Sequence, residues 1–160
     1  LGPEEISVVL TGKEPAPAVP ENVHRPVCFI STSQLNADKG HKDALAAMSL
    51  LKKQGHDFEY HVVGTGAIEA ELKALADRLG LNGRVFWHGF QPDVRALLRQ
   101  ADVFLLPSMN EGLPNSLLEA MAEGLVCVAR NVGGVAEVWP EDAPACFCPM
   151  GPGRRSSPVY

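Results

Sequence analysis

PSMNEGLPNSLLEAMAEGLVCVARNVGG, residues 107–134, is the stretch on which the fold depends. Just before it, Ala101–Leu106 (ADVFLL) is a short apolar run of β-formers with the pattern of a buried strand, and Pro107 ends it. Two carboxylates follow, Glu111 and Glu119, with a helix start between them. Pro114 suits a first helical turn, where its missing N–H would be unpaired anyway. Asn115 and Ser116 are expected to leave free backbone donors at that N-terminus. Leu117, Leu118, Met121 and Ala122 fall at helical spacing and should face a core. Gly124 is the stop signal, and Val126–Ala129 reads as the next buried strand. The order is therefore strand, loop, helix, turn, strand.

The chemistry this implies is anion binding. A helix N-terminus offers unpaired N–H groups and roughly +0.5 of an elementary charge. A phosphate fits there, and carboxylates suit hydroxyl groups on either side. Glu111 precedes the helix, and Glu119 sits about a turn and a half inside it, so they are not same-face neighbours. A ligand touching both has hydroxyls at two places and phosphate between them, which is the layout of a nucleotide sugar.

Composition bounds the rest. At 160 residues the chain has the length of one domain with a real core. The formal net charge is −5, and the only adjacent arginines are Arg154–Arg155, so no nucleic-acid partner is expected. No apolar run approaches the ~20 residues of a bilayer span. The opening LGPEEISVVLTG has no basic start followed by an apolar core, so no signal peptide is expected there. Of the four cysteines, Cys28 and Cys127 lie in apolar strand-like runs, while Cys146 and Cys148 would share one strand face. Metal ligation would need more ligands nearby. Buried reduced thiols, and with them a cytoplasmic setting, are the expectation.

In chain order, residues 1–25 are rich in Pro and Glu and read as a linker or arm. A regular pattern occupies residues 26–150, and residues 151–160 form an irregular tail. Val27–Ser31 is a strand and Ser33–Gly40 a polar loop. His41–Gln54 is a helix ended by Gly55, and Phe58–Val63 is a strand. Gly64-Thr65-Gly66 turns into a helix reaching Leu79. Val85–Trp87 is a strand, His88–Pro92 a loop, and Asp93 caps a short helix to Gln100. Ala145–Cys148 is a candidate sixth strand. The alternation predicts an α/β fold: a doubly wound, Rossmann-like parallel sheet of about six strands, order 3-2-1-4-5-6, with helices on both faces. Its ligand crevice lies beyond the carboxyl ends of strands one and four. Lys39, in the first loop, should then face the Glu111 loop.

Each candidate has a plainer reading beside the functional one. Lys39 could neutralise a diphosphate as a point charge, or be a solvated lysine. Gly64-Thr65-Gly66 resembles the start of a dinucleotide fingerprint, but Glu69 replaces the third glycine and the turn follows the second strand. A turn whose backbone nears a ligand fits better. Glu111 could be an ordinary helix-start acid, worth about 0.3–1 kcal/mol through the dipole, and Glu119 a solvent-facing helix residue. His41 and His88 border crevice loops without an assigned role. Gly133-Gly134 either lets a backbone approach ligand or makes a turn.

The stretch PSMNEGLPNSLLEAMAEGL, followed by Gly133, Gly134 and Glu137, resembles the donor-binding half of retaining glycosyltransferases of the GT-B fold, family 4, glycosyl transferases group 1. The similarity extends back through ADVFLLPS, RVFWHGFQPDVRALL, VVGTGAIEAELKALADRLGL and QLNADKG, covering about Val27 to Glu137. The resemblance implies that Glu111 meets the donor sugar and its reacting face, Glu119 the ribose, and Lys39 the leaving diphosphate. It implies a phosphate cradle at the backbone of Asn115, Ser116 and Leu117, and a base pocket lined by His88, Gly89, Phe90 and Gln91, with Gly64 and Gly66 also at the donor. It implies no metal and no cofactor beyond the substrate, since lysine and helix dipole carry the charge. The partner is a nucleotide sugar, UDP- or GDP-linked.

Three departures stand out. The family usually has arginine five residues before the lysine, where this chain has Gln34. Val126 replaces a usual proline, and MGPGRRSSPVY replaces the closing helices. An N-terminal acceptor domain is also missing, so the resemblance implies half of a two-domain parent that transfers a sugar to a glycan or lipid-linked acceptor in polysaccharide biosynthesis. The chain alone is then expected to be inactive, and peripheral membrane association, at the inner face, would belong to the parent alone. The rival readings are a stand-alone nucleotide-sugar-binding module without catalysis, and a GT-B sugar-nucleotide epimerase fragment, against which the intact pair Glu111 and Glu119 speaks.

Overall fold

The computed structural model describes residues 26–139. Strands β1 (Val27–Thr32), β2 (Phe58–Val63), β3 (Val85–Gly89), β4 (Val103–Leu106) and β5 (Val126–Ala129) alternate with helices α1 (His41–Lys53), α2 (Glu69–Arg78), α3 (Arg95–Leu98), α4 (Asn115–Ala122) and α5 (Val135–Val138). All strand pairs are parallel, in the order β3-β2-β1-β4-β5. This is the expected doubly wound order over five strands. The candidate sixth strand at Ala145–Cys148, the arm 1–25, the tail 151–160 and the pair Cys146 and Cys148 lie outside the described residues.

Parallel strands need cover on both faces, and side chains alternate between them. Ile30, Phe104, Leu106, Cys127 and Ala129 pack with Leu117 and Ala120 of α4, Leu98 of α3 and Val135 and Val138 of α5. Phe58, Tyr60, Val62 and Leu105 pack on the other side with Ala44, Leu45 and Met48 of α1 and Leu72 and Ala76 of α2. Cys28 and Cys127 are both buried, as their apolar flanks predicted. Among the described residues no helix is long and apolar enough to cross a membrane.

Polar atoms inside these layers are paired in a way that holds the strands together. The Tyr60 hydroxyl donates to Ser31 Oγ at 2.9 Å, and Ser31 Oγ donates to the Leu105 carbonyl at 2.9 Å, linking β2, β1 and β4. Burial pushes the Tyr60 phenol up to about 12. At the opposite edge, Asp102 Oδ2 accepts from the Cys28 amide at 2.8 Å, which joins the starts of β1 and β4.

Several boundaries differ from the expectation. β3 continues through His88 and Gly89, because a bulge between Val62 and Val63 lets Val63 pair with Gly89. An edge strand tolerates polar residues, so the ladder outlasts the apolar run. α2 begins only at Glu69. α3 is four residues long, with Asp93 Oδ1 accepting from the Arg95 amide at 3.0 Å. On α4 the fully buried residues are Leu117 and Ala120, while Leu118 and Met121 are partly buried and Ala122 lies outside that core. Tyr60→Phe should lower stability by about 1 kcal/mol, as Ser31 loses a donor. Urea unfolding checks this, and the midpoint should fall with an unchanged m-value.

Candidate active site

The crevice at the carboxyl edge is built first from main chain. After β1 the chain makes a 3₁₀ turn, Ala37–Lys39, and Gly40 then takes φ +68° to enter α1. A Cβ at Gly40 would fall on the carbonyl oxygen of Pro107, so the loop after β1 lies directly against the exit of β4. The Met109 amide donates to the Asp38 carbonyl at 2.7 Å. These contacts bring Lys39 Nζ to 3.0 Å from Glu111 Oε1, across 72 positions of sequence. Both side chains are largely covered, with 23% of Lys39 and 11% of Glu111 exposed. The two walls inferred from topology therefore meet, and they meet through Lys39 and Glu111.

The glycines serve the same assembly. At Gly133 a Cβ would fall on the Glu111 carbonyl, and at Gly134 on that of Gly112. The Gly134 amide donates to the Glu111 carbonyl at 3.1 Å. The backbone that this pair admits is thus that of Glu111 itself. Gly64 and Gly66 are equally tight against Ser33 and Leu35. The Leu35 amide bonds the Thr65 carbonyl at 3.0 Å, and the Gly64 amide bonds Gly89 at 2.8 Å. All five strand exits are held by their neighbours.

At the start of α4, Pro114 is the N-cap rather than the first helical residue. Its carbonyl accepts from the Leu117 and Leu118 amides at 3.0 and 3.1 Å, and the Asn115 amide turns back to Leu113 at 2.9 Å. Of the three expected cradle donors, Ser116 alone keeps an N–H with no partner among the described residues. The expectation of free donors at both Asn115 and Ser116 is corrected for Asn115, because the tight Leu113–Asn115 turn consumes its N–H. Glu119 is exposed, and its carboxylate makes no hydrogen bond or ion pair among the described residues.

Gln34 is exposed, and its Oε1 accepts from Asn36 Nδ2 at 3.1 Å. His41 is buried, its Nε2 at 3.0 Å from Ser33 Oγ and 3.3 Å from the Gln34 carbonyl. Burial lowers its pKa, aided by the charge of Lys39 and opposed by the Gln34 hydrogen bond. His41 is thus a neutral clamp on the first loop. His88 Nε2 lies 2.9 Å from His61 Nδ1, and His61 Nε2 lies 3.3 Å from Glu59. Burial, then the charge of His61, lowers the pKa of His88. Gln91 Nε2 donates to the His88 carbonyl at 3.0 Å, shaping the exit of β3, where Phe90 is 74% exposed. Sequence reading missed His61, Asp43 and Arg130. The signal for Arg130 was a charge directly after the apolar run VCVA, at the crevice end of its strand.

Residues 13–149 match the family described as glycosyl transferases group 1. The chain belongs to that family. It is 36% identical over 160 residues to an amylovoran biosynthesis glycosyltransferase, AmsK, of Erwinia amylovora, covering 92% of this chain and 39% of that protein. It is 35% identical to the putative colanic acid biosynthesis glycosyltransferase WcaL of Escherichia coli K12, covering 94% of this chain and 40% of that one. The chain therefore spans about two fifths of the length of these curated relatives. Among solved structures, Anabaena HepE (Alr3699) in complex with UDP and glucose superposes with a TM-score of 0.70 at 25% identity, over 79% of this chain and 35% of that one. WaaG, a glycosyltransferase involved in lipopolysaccharide biosynthesis, gives 0.65 at 27% identity, over 72% and 31%. The five-stranded sheet is thus that of a group 1 glycosyltransferase domain.

Two outcomes follow for this glycosyltransferase domain. His41 protonates more readily unfolded than folded, so its contribution to stability is present above about pH 6.5 and lost as pH falls toward its lowered folded value. Thermal unfolding from pH 7.5 to 5 should show this loss, and His41→Gln should flatten it. Gly133→Ala should destabilise by about 1–3 kcal/mol, since the Glu111 main chain blocks the new methyl group. A urea midpoint checks it.

Proposed function

We propose that the chain is the nucleotide-sugar-binding part of a retaining glycosyltransferase, with the donor held in the crevice between the loops after β1 and β4. The observation that carries this reading is the 3.0 Å pair of Lys39 and Glu111, together with the Ser116 amide left open at the start of α4, the helix that follows Glu111 in the chain. It supplies a cation, a hydrogen-bond acceptor and a helix N-terminus within one crevice. The diphosphate takes Lys39 as its counter-charge and the Ser116 N–H as a donor. Glu111, released from Lys39, accepts from sugar hydroxyls. Glu119 is free to accept from the ribose, and the His88–Gln91 segment lies beside the base.

The reaction breaks the bond between the anomeric carbon and the diphosphate oxygen, and its electron pair leaves with the diphosphate. Lys39 and the α4 dipole stabilise that developing charge, so the reading calls for no metal. The acceptor hydroxyl oxygen attacks the anomeric carbon on the face from which the diphosphate departs, its proton passes to the departing diphosphate oxygen, and the acceptor, a glycan or lipid-linked glycan, binds a further domain of the parent. That parent works in the cytoplasm, at the inner face of the membrane. The rival, a binding module without catalysis, is favoured by Gln34. Its neutral side chain is engaged by Asn36, where the family resemblance calls for a second cation.

Calorimetry with UDP, GDP and ADP, each free and sugar-linked, tests the site. At least one should bind, and Lys39→Ala should weaken it by about tenfold or more, the scale of one lost charge-assisted contact. Gln34→Arg should tighten it. No binding by any of them at millimolar levels, from folded protein, overturns the reading. The chain alone should transfer no sugar to a simple acceptor, and measured turnover would contradict its description as the donor half.

A further inference from the structure

Arg130, the first residue past β5, is only 3% exposed, and its Nη2 donates to Asp43 Oδ2 at 2.5 Å. Its Nε is buried with no hydrogen-bond partner among the described residues. Burying a guanidinium against one carboxylate, with a donor left over, is poor design for stability alone. Its placement is more telling. The Arg130 amide bonds the Leu106 carbonyl at 2.9 Å, so the residue stands beside the exit of β4. The next residue along that exit, Pro107, is the one against which Gly40 packs. Asp43 lies in the first turn of α1, and its amide, like that of Ala44, bonds the Gly40 carbonyl, at 3.0 and 3.2 Å. The ion pair therefore ties the first turn of α1 to the β4–β5 edge at the position where Lys39 enters the crevice.

We infer that Arg130 is a positioning residue for Lys39, acting through Asp43: the pair clamps the start of α1 over Pro107 and so fixes the height at which the Lys39 ammonium meets a diphosphate. This rests on the reading of the crevice as a nucleoside-diphosphate site. Where Gln34 leaves that wall with Lys39 as its cation, an error in the placement of that single ammonium has no second charge to offset it. Asp43 accepts the charge of Arg130, so the guanidinium serves geometry rather than the ligand.

The test uses the full chain and the variants Arg130→Met, Asp43→Asn, their double and Arg130→Lys. Amide hydrogen exchange reads the clamp without any ligand. Exchange at Asp43, Ala44 and Met109, whose amides bond Gly40 and Asp38, should quicken by about tenfold in both single variants, with Tyr60 on β2 unchanged. UDP affinity should fall by about tenfold while uridine affinity holds, because the base and ribose contacts lie elsewhere. The double variant should be no worse than either single one, since both break the same pair. Arg130→Lys should recover part of both effects. Should Arg130→Met fail to fold, Asp43→Asn still decides, since its side chain is 45% exposed and nearly isosteric. Unchanged exchange at Asp43, Ala44 and Met109 overturns the inference, as does equal loss of UDP and uridine affinity. Wild-type protein that binds none of UDP, GDP and ADP overturns the functional reading instead; where GDP or ADP is the one bound, it and its nucleoside replace UDP and uridine, and the exchange result decides the clamp in every case.

Discussion

The close approach of Gly40 to the Pro107 carbonyl is the constraint on which this molecule depends. It sets the loop after β1 against the exit of β4 with no side chain between them. The hydrogen bond from the Met109 amide to Asp38 and the contact of Lys39 with Glu111 follow from it. The same device recurs along the edge, where Gly64, Gly66, Gly133 and Gly134 each abut a neighbouring loop's main chain. Loops at the end of a parallel sheet would ordinarily be its most mobile part. Here they form a continuous rim, and that rigidity is what a site needs to hold charges at fixed separations.

Lys39 and Glu111 also illustrate how such a site rests. Taking either charge out of water costs several kcal/mol, and the pair offsets that cost in the absence of a ligand. A diphosphate and a hydroxyl-bearing sugar can take over both partners, one negative and one donating. Substitution of either residue alone strands the other, so each should be costlier to lose than an exposed ion pair such as Lys42–Glu71. His41 shows the complementary strategy: a titratable side chain kept neutral by burial, so that a loop clamp adds no competing charge beside Lys39.

Much of this was legible in the sequence because it is written locally. Apolar runs such as VCFIS and ADVFLL mark buried parallel strands. Pro107, Gly40 and Gly124 punctuate them, and topology alone then predicts that the Lys39 and Glu111 loops face each other. What stayed hidden depends on distant partners. His88 joins β3 because Val63 shifts register beneath it, not because of any periodicity of its own. The Asn115 amide is consumed by a turn whose shape is set by residues 111–114 and by Gly134 behind them. Val135–Val138 forms a helical turn too short to show periodicity. Arg130 meets Asp43 across 87 positions, and neither residue carries a mark of the other. Family resemblance assigned roles to Glu111, Glu119 and Lys39, but the physical reason for Gly133 and Gly134 emerged only from the packing on Glu111.

The central claim is that a nucleoside diphosphate lies between Lys39 and the Ser116 amide. A crystal structure of the chain with UDP or GDP tests it most directly. The account predicts diphosphate oxygens within hydrogen-bond distance of Lys39 Nζ and the Ser116 N–H, with the Lys39–Glu111 pair opened. A bound diphosphate lying away from both groups, with that pair intact, would contradict it.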